Sequence, residues 1–242
     1  MEIQRSAERY QADHGWLKTA HSFSFADYFD PKRLHWGALR VFNDDTIAGG
    51  SGFPTHPHRD MDIVTYVLDG ELEHKDSMGN HGVVQRYGVQ YMSAGTGVRH
   101  SEVNASPDKP LHLVQMWVLP QHAGIKPAYG QQSFTPGDVH DKWLTIASGE
   151  PGVDASIRLD ADATFSAAEI DAGTELRHTT KANRRAFLFV AEGSPDITVS
   201  GAGSTQQLQP GDSARIEPGE EIVLRGPAHV VLWDVDGAQE AA

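Results

Sequence analysis

The 242-residue chain has no cysteine. That excludes disulfides, a nucleophilic thiol and every thiolate metal site, iron–sulfur clusters and zinc fingers included. Basic charge is also scarce: 20 Lys and Arg stand against 33 Asp and Glu, for a formal net charge of −13. DNA, RNA and anionic lipid reward clustered cations, so no direct nucleic-acid or membrane binding is expected. No apolar run approaches the roughly 20 residues of a membrane-spanning helix, and no basic, apolar leader opens the chain. A cytoplasmic location is the expectation. Nucleotide and serine-hydrolase signatures are missing as well: there is no Gly-x-Gly-x-x-Gly after a strand, no Walker lysine and no Gly-x-Ser-x-Gly elbow. The nearest approach, Gly95-Thr96-Gly97, runs into Val98-Arg99 rather than a phosphate-cradling helix.

What the chain does carry is histidine in a pattern. Two segments stand out, Gly50-x5-His56-Pro57-His58 and Gly97-Val98-Arg99-His100-Ser101-Glu102-Val103-Asn104. Side chains alternate along a strand, so His56 and His58 face one way together, as do His100 and Glu102. Two such strands facing each other would supply three imidazoles and a carboxylate. Thirteen histidines would yield roughly two-thirds of one His-x-His pair by shuffling, so the pair alone is weak. Its context strengthens it: a glycine six residues before His56, the strand-like run Ile63 to Leu68 after it, a turn at Gly70, and the second set at the spacing Gly97-x2-His100-x3-Asn104. Such a donor set suits Fe(II), Mn, Ni, Cu(II) or Zn. On a six-coordinate ion it leaves two positions for a bidentate substrate, or for a substrate oxygen beside O2.

The remaining pattern is of short strands punctuated by Gly, Asn, Asp and Pro, which indicates an all-β barrel or sandwich. Strands are expected at 38–42, 63–68, 71–75, 82–86, 89–92 and 111–119. The last is apolar on both faces, like a strand deep in a barrel. On it, His112 or Gln115 is a candidate for substrate contact, set against the commoner hydrogen-bonded core role. The stretch 120–136 is polar and bears proline and glycine, as a crossover would. Strands then resume at 143–148, 157–160, 164–170, 185–191, 196–200, 213–216, 221–224 and 229–234, so the halves form one internal repeat. Aligning Gly70 with Gly193 and Gly95 with Pro218 puts Thr179, Lys181, Val223 and Arg225 opposite the four ligand candidates. The second half keeps the turns and loses the donors, and His178 is one residue out of phase. That half reads as structural, or as a surface for packing and partners.

Both histidine segments resemble the two cupin motifs, and their surroundings are more similar still to the pirin family of two-domain cupins. The resemblance rests on His21-Ser22-Phe23-Ser24-Phe25-Ala26-Asp27-Tyr28-Phe29-Asp30-Pro31, Leu39 to Asp45, Thr55-His56-Pro57-His58-Arg59-Asp60-Met61-Asp62-Ile63-Val64-Thr65-Tyr66, Asp76 to Asn80 and Met92 to Glu102. It is dense from about residue 14 to 120 and thin beyond. It implies an all-β bicupin, two jelly-roll (double-stranded β-helix) barrels in tandem: a metal-binding domain at 1–120, a crossover at 121–136, and a ligand-free domain at 137–242.

The family's ligands fall on His56, His58, His100 and Glu102, holding one divalent ion, expected as Fe(II), with Ni, Mn, Co, Cu or Zn admissible. Asp62 stands where the wider cupin pattern has a ligand glutamate, and is expected as a supporting or surface group. Gly95 replaces a proline and is expected to alter only a turn. The implied activity is that of bacterial pirins described as quercetin 2,3-dioxygenases, in which a flavonol and O2 are consumed with release of carbon monoxide. Glu102 would be the base for the flavonol hydroxyl. The alternative is a non-enzymatic, redox-sensitive, iron-bearing regulator of transcription factors or metabolic enzymes. A zinc sugar-phosphate isomerase is disfavoured for want of clustered Lys and Arg. Alternation places Asp60 on the ligands' side and Arg59 away from it. Arg99 reads as solvated or ion-paired. Tyr66, Phe53 and Met92 are candidates to wall the pocket, and the aromatics of Tyr10 to Phe29 are expected to pack on the barrels. A monomer is expected.

Overall fold

In the computed structural model, which describes residues 1–200 and 205–237, strands account for nearly all regular structure. Residues 201–204 and 238–242 of the expected second domain lie outside the described ones. The only helical elements described are a 3-10 turn, Ser6–Glu8, and the four-residue Pro136–Val139. Each half is a seven-stranded sheet with a four-stranded one. In the first half the four-stranded sheet runs Gly52–His58, Val98–Asn104, Glu71–Asp76, His81–Gln85. At the middle of its larger sheet Leu111–Val118 lies between Asp62–Asp69 and Leu39–Ile47. The run Ile63-Val64-Thr65-Tyr66-Val67-Leu68 is buried at every position, as β-branched and aromatic residues in a central strand require. Leu111–Val118 departs from the expected all-apolar strand: His112, Gln115 and Trp117 are only half-buried.

The second half repeats the plan, with Ala163–Ile170, Ala228–Asp236 and Arg184–Gly193 adjacent in its larger sheet and Glu175–Thr179 beside Glu221–Arg225 in the smaller. Two segments cross the expected divisions. Glu2–Gln4 joins the second half's sheet along Ser213–Ile216, and Ala128–Gln132, within the expected crossover, is an edge strand on Val89–Ser93.

One apolar core runs through both halves. Phe42 lies 5.0 Å from Phe187 and 4.8 Å from Phe189, and the Trp233 indole N–H points at the Met116 sulfur at 3.0 Å. Of the N-terminal aromatics, Phe23 joins this core, wholly buried against Phe187, while Trp16 packs on a separate apolar cluster, Tyr10 stacks on Tyr28 and Phe25 stands against Trp117. Phe29 is the exception, 74% exposed. Polar clamps reinforce the junction. Arg86 donates to both oxygens of Glu192 and to Glu169. Asp62, neither ligand nor surface group, is fully buried and accepts the Asp160 backbone N–H at 3.0 Å. Tyr66 does not wall the metal-site candidate. It is buried at this junction with its hydroxyl 3.1 Å from His229 Nε2.

Candidate metal centre

The sheet register explains how the histidines meet. His100 is directly opposite His56, and Val98 opposite His58, so all three rings leave the same end of one strand pair. The ladder then slips: Glu102 is opposite Phe53, which leaves Pro54 and Thr55 facing Ser101 alone. Pro54 has no N–H to give the ladder, so a bulge there is favoured. Its carbonyl turns to the His56 ring instead, with Nδ1 at 2.8 Å. A carbonyl only accepts, so Nδ1 carries the proton and His56 Nε2 presents a lone pair.

That lone pair faces His100 Nε2 at 3.1 Å. Two imidazole nitrogens each about 2.1 Å from one ion sit about 3.0 Å apart at a right angle, and about 3.4 Å apart in a tetrahedron. The observed separation fits the octahedral edge. Ligand nitrogens of His56, His58 and His100 all lie within 4.8 Å of one another. Burial, with the neighbouring imidazoles second, holds His58 down to about 4 and His100 to about 3. Both are therefore neutral near pH 7, the form that binds metal.

Glu102 sits apart from this trio. It is buried at 2% exposure and groups with His74 and His100. Gln90 donates its amide to Oε1, and Gln115 donates to Oε2 at 2.8 Å. The Trp117 indole N–H in turn reaches Gln115 Oε1 at 3.2 Å. Trp117 also stands edge-on to His58 at 4.8 Å between centroids and to Phe25 at 5.2 Å. So of the two candidates on Leu111–Val118, Gln115 reaches the site, whereas His112 pairs with Asp44 at 2.7 Å elsewhere.

Of the other expected walls, Phe53 is 6.3 Å from His56 and Met92 is buried among Ile63, Ala94 and Val98. Asp60 does not continue the alternation. Its backbone is left-handed at φ +46°, and its carboxylate accepts the Gly124 N–H at 2.6 Å. It is Arg59 that lines the hollow beside His58. Gly95 is required by its turn: φ is +42° and a Cβ would lie 2.0 Å from the Ile125 carbonyl oxygen, where proline's φ near −65° cannot go.

His58 opens on a hollow of ≈ 400 Å³ shared with Pro57, Arg59, Ser77, Thr96, Gly97, Val98 and Arg99. Larger depressions of ≈ 480 and ≈ 690 Å³ lie elsewhere and include none of the four expected ligands. Among the described residues, two further clusters hold ligand-type side chains. His140, Asp141 and Asp171 lie at the surface, and in the cluster of Glu169, Glu192 and His229 both carboxylates already pair with Arg86.

Residues 3–118 match the family model described as Pirin, and 145–235 that of the quercetinase C-terminal cupin domain. A protein named quercetin 2,3-dioxygenase from Escherichia coli strain K12 is 43% identical over 233 residues, 96% of this chain and 97% of that one. The chain belongs to the pirin family. A pirin-like protein of Caulobacter vibrioides is 43% identical over 227 residues, 94% of this chain and 95% of its own. In three dimensions, a bacterial pirin from Escherichia coli in complex with nickel(II) matches at TM-score 0.87 and 38% identity, over 97% of this chain and 98% of that one. The two sandwiches are thus tandem cupin domains, and the histidine cluster lies in the first.

His74, Gln90, Trp117 and Tyr129 also belong to the site and were not singled out in the sequence. His74 had a signal: in Glu71–Asp76 only Leu72 and His74 are buried, so a histidine shares the inward parity with a leucine. Gln90 had one too, an amide amid the wholly buried Val89–Ser93.

Proposed function

We propose that the chain is a metal-dependent dioxygenase of the quercetin 2,3-dioxygenase type, converting a flavonol and O2 into a depside and carbon monoxide. The observation that carries this reading is the convergence of three imidazoles, one of which, His58, opens on a ≈ 400 Å³ hollow, within the size range of small-molecule sites. The His56 and His100 Nε2 atoms and the His58 ring are the imidazole ligands in this reading, and Glu102 is the fourth. Fe(II) is the ion we favour for this nitrogen and oxygen donor set. When bound, the metal would acidify and orient the flavonol oxygen and, as iron or copper, take part in electron transfer.

The protein's own part is positional. The amides of Gln90 and Gln115 fix the Glu102 carboxylate, whose unused lone pairs are the acceptor for the flavonol hydroxyl proton. Phe53 and Trp117 border His56 and His58, giving a flat aromatic substrate apolar surface beside the ligands. The regulator reading requires the same ligands but no hollow at His58, and the hollow favours the enzyme.

The test is to strip the protein of metal and reload it anaerobically with Fe(II), Mn, Ni, Co, Cu or Zn. Quercetin loss, O2 uptake and carbon monoxide release are followed, with His56→Ala and Glu102→Ala as controls. Metal-dependent turnover lost in the His56→Ala protein supports the enzyme. Stoichiometric metal binding without turnover by any ion shifts the reading to the regulator.

A further inference from the structure

A second histidine stands behind the first cluster, and its bonding is determined by a chain of acceptors. Asp76 Oδ1 accepts the backbone N–H groups of Met78 at 2.8 Å and Asn80 at 3.0 Å, and Oδ2 accepts the Asn80 side-chain amide at 2.8 Å. A carboxylate ringed by donors is an acceptor only. His74 Nε2 lies 3.2 Å from the same Oδ2, so the neutral His74 ring carries its proton on Nε2 and leaves Nδ1 bare. That bare nitrogen faces His100 Nδ1 at 3.4 Å. His74 has no freedom to turn away, being fully buried and stacked on Tyr129 at 4.3 Å between centroids and 16° between planes.

Resting on the metal-centre reading above, we propose that His74 is the positioning residue of the site: it accepts the Nδ1 proton of His100 and so keeps the His100 Nε2 lone pair aimed at the ion. The relay runs from Asp76 through His74 to His100. Were His100 to carry its proton on Nε2, it would present N–H to the ion and a lone pair to His74. The order of acceptors from Asp76 outward disfavours that tautomer. Ligand histidines held by an acceptor on the far nitrogen commonly lose about 10- to 100-fold in metal affinity when the acceptor is removed.

Full-length wild type, His74→Phe, His74→Asn and Asp76→Asn are to be titrated with Ni(II) and Zn(II), and the Zn(II) forms examined by long-range ¹H–¹⁵N spectra of the histidine rings. Phenylalanine keeps the volume and the Tyr129 stack but deletes the acceptor, while asparagine restores an oxygen acceptor near the Nδ1 position. Asp76→Asn keeps His74 but removes the carboxylate that sets its tautomer, and it serves if the phenylalanine variant does not fold.

The expected result is affinity about 10- to 100-fold weaker for His74→Phe and Asp76→Asn, and within about threefold of wild type for His74→Asn. The His100 Nδ1 proton should be visible in wild type. Equal affinity in all four proteins, equal loss in the two His74 variants, or a His100 ring protonated on Nε2 would each overturn the proposal. Wild type that binds neither ion would instead overturn the metal centre, and this proposal with it.

Discussion

Glu102→Gln separates two roles that the geometry leaves entangled, because it acts with opposite sign in the metal-free and metal-bound protein. Without metal, Glu102 is a carboxylate at 2% exposure satisfied by two amides. The glutamine amide there meets a competing donor, but Gln90 Oε1 is buried with no hydrogen-bond partner, so a rotated Gln90 amide accepts from it. A buried charge has then been exchanged for a paired neutral group, and the metal-free variant should be within about 1 kcal/mol of wild type or above it. With metal at 100 times its Kd, wild type gains about 2.7 kcal/mol, and a variant bound about 100-fold more weakly gains only about 0.4 kcal/mol. The difference of about 2.3 kcal/mol corresponds to about 5–9 °C of melting temperature in a protein of this size. The assay is thermal unfolding of both proteins with and without Ni(II) at the same free concentration. Equal metal-induced shifts would show that Glu102 is no ligand, and the centre would then be the three histidines alone.

His58→Ala should abolish stoichiometric Ni(II) uptake in equilibrium dialysis while leaving the fold intact, since the side chain is only half-buried; retained uptake would count against His58 as a ligand. Asp45→Asn should stabilise the protein at pH 8. Burial, with the charges of Asp44 and Glu102 beside it, raises Asp45 to about 7, so the folded state binds the proton more tightly than the unfolded one. Wild type is therefore least favoured above pH 7 and gains as pH falls through 7 towards 3.8, whereas asparagine has no such dependence. The advantage of the asparagine variant should be about 2–4 kcal/mol at pH 8 and vanish on acidification, as read by urea midpoints; a pH-independent difference would refute the shift. Arg86→Met should lower stability by about 1–3 kcal/mol, because Glu169 and Glu192 lose their shared cation in a half-buried setting; a change under about 0.5 kcal/mol would mean that the ion pairs do not hold the halves together.

The strand Ile63 to Leu68 was legible because it is a run of β-branched and aromatic residues ended by the turn at Asp69-Gly70. Three strands without such runs were not expected. Leu17–His21 includes Lys18 and Ala20, Ala128–Gln132 is a mostly exposed edge, and Glu175–Thr179 has no fully buried residue. Their pairing comes from neighbours rather than from their own composition. The histidine trio was legible because alternation survives from His56 to His58. It fails at the next step, where the left-handed Asp60 breaks it and exchanges the expected places of Arg59 and Asp60. His74, Gln90 and Trp117 come to the site through long-range pairings, His74 opposite Glu102 and Gln90 opposite Thr65. Local parity marks His74 and Gln90 as inward-facing, but only the long-range pairing says which residues they meet.

The halves differ at the strand pair that brings the histidine trio together. In the second, Glu175–Thr179 pairs with Glu221–Arg225 in unbroken register, Glu175 opposite Arg225 through to Thr179 opposite Glu221. In the first, the equivalent pair carries the slip at Pro54 and Thr55. An extra residue in one strand bends it and re-aims side chains, and here it also frees the Pro54 carbonyl to set the His56 tautomer. The placing of the histidine trio therefore depends on a local irregularity of the sheet as well as on residue identity. The inward positions of that unbroken pair are not those the sequence alignment names but Leu176, opposite Leu224, and His178, opposite Ile222, so histidines at Leu176 and Leu224 beside His178 would restore three imidazoles without the bulge. Such a variant should bind Ni(II) far more weakly than the native centre, and comparable affinity at both sites would show the bulge to be incidental.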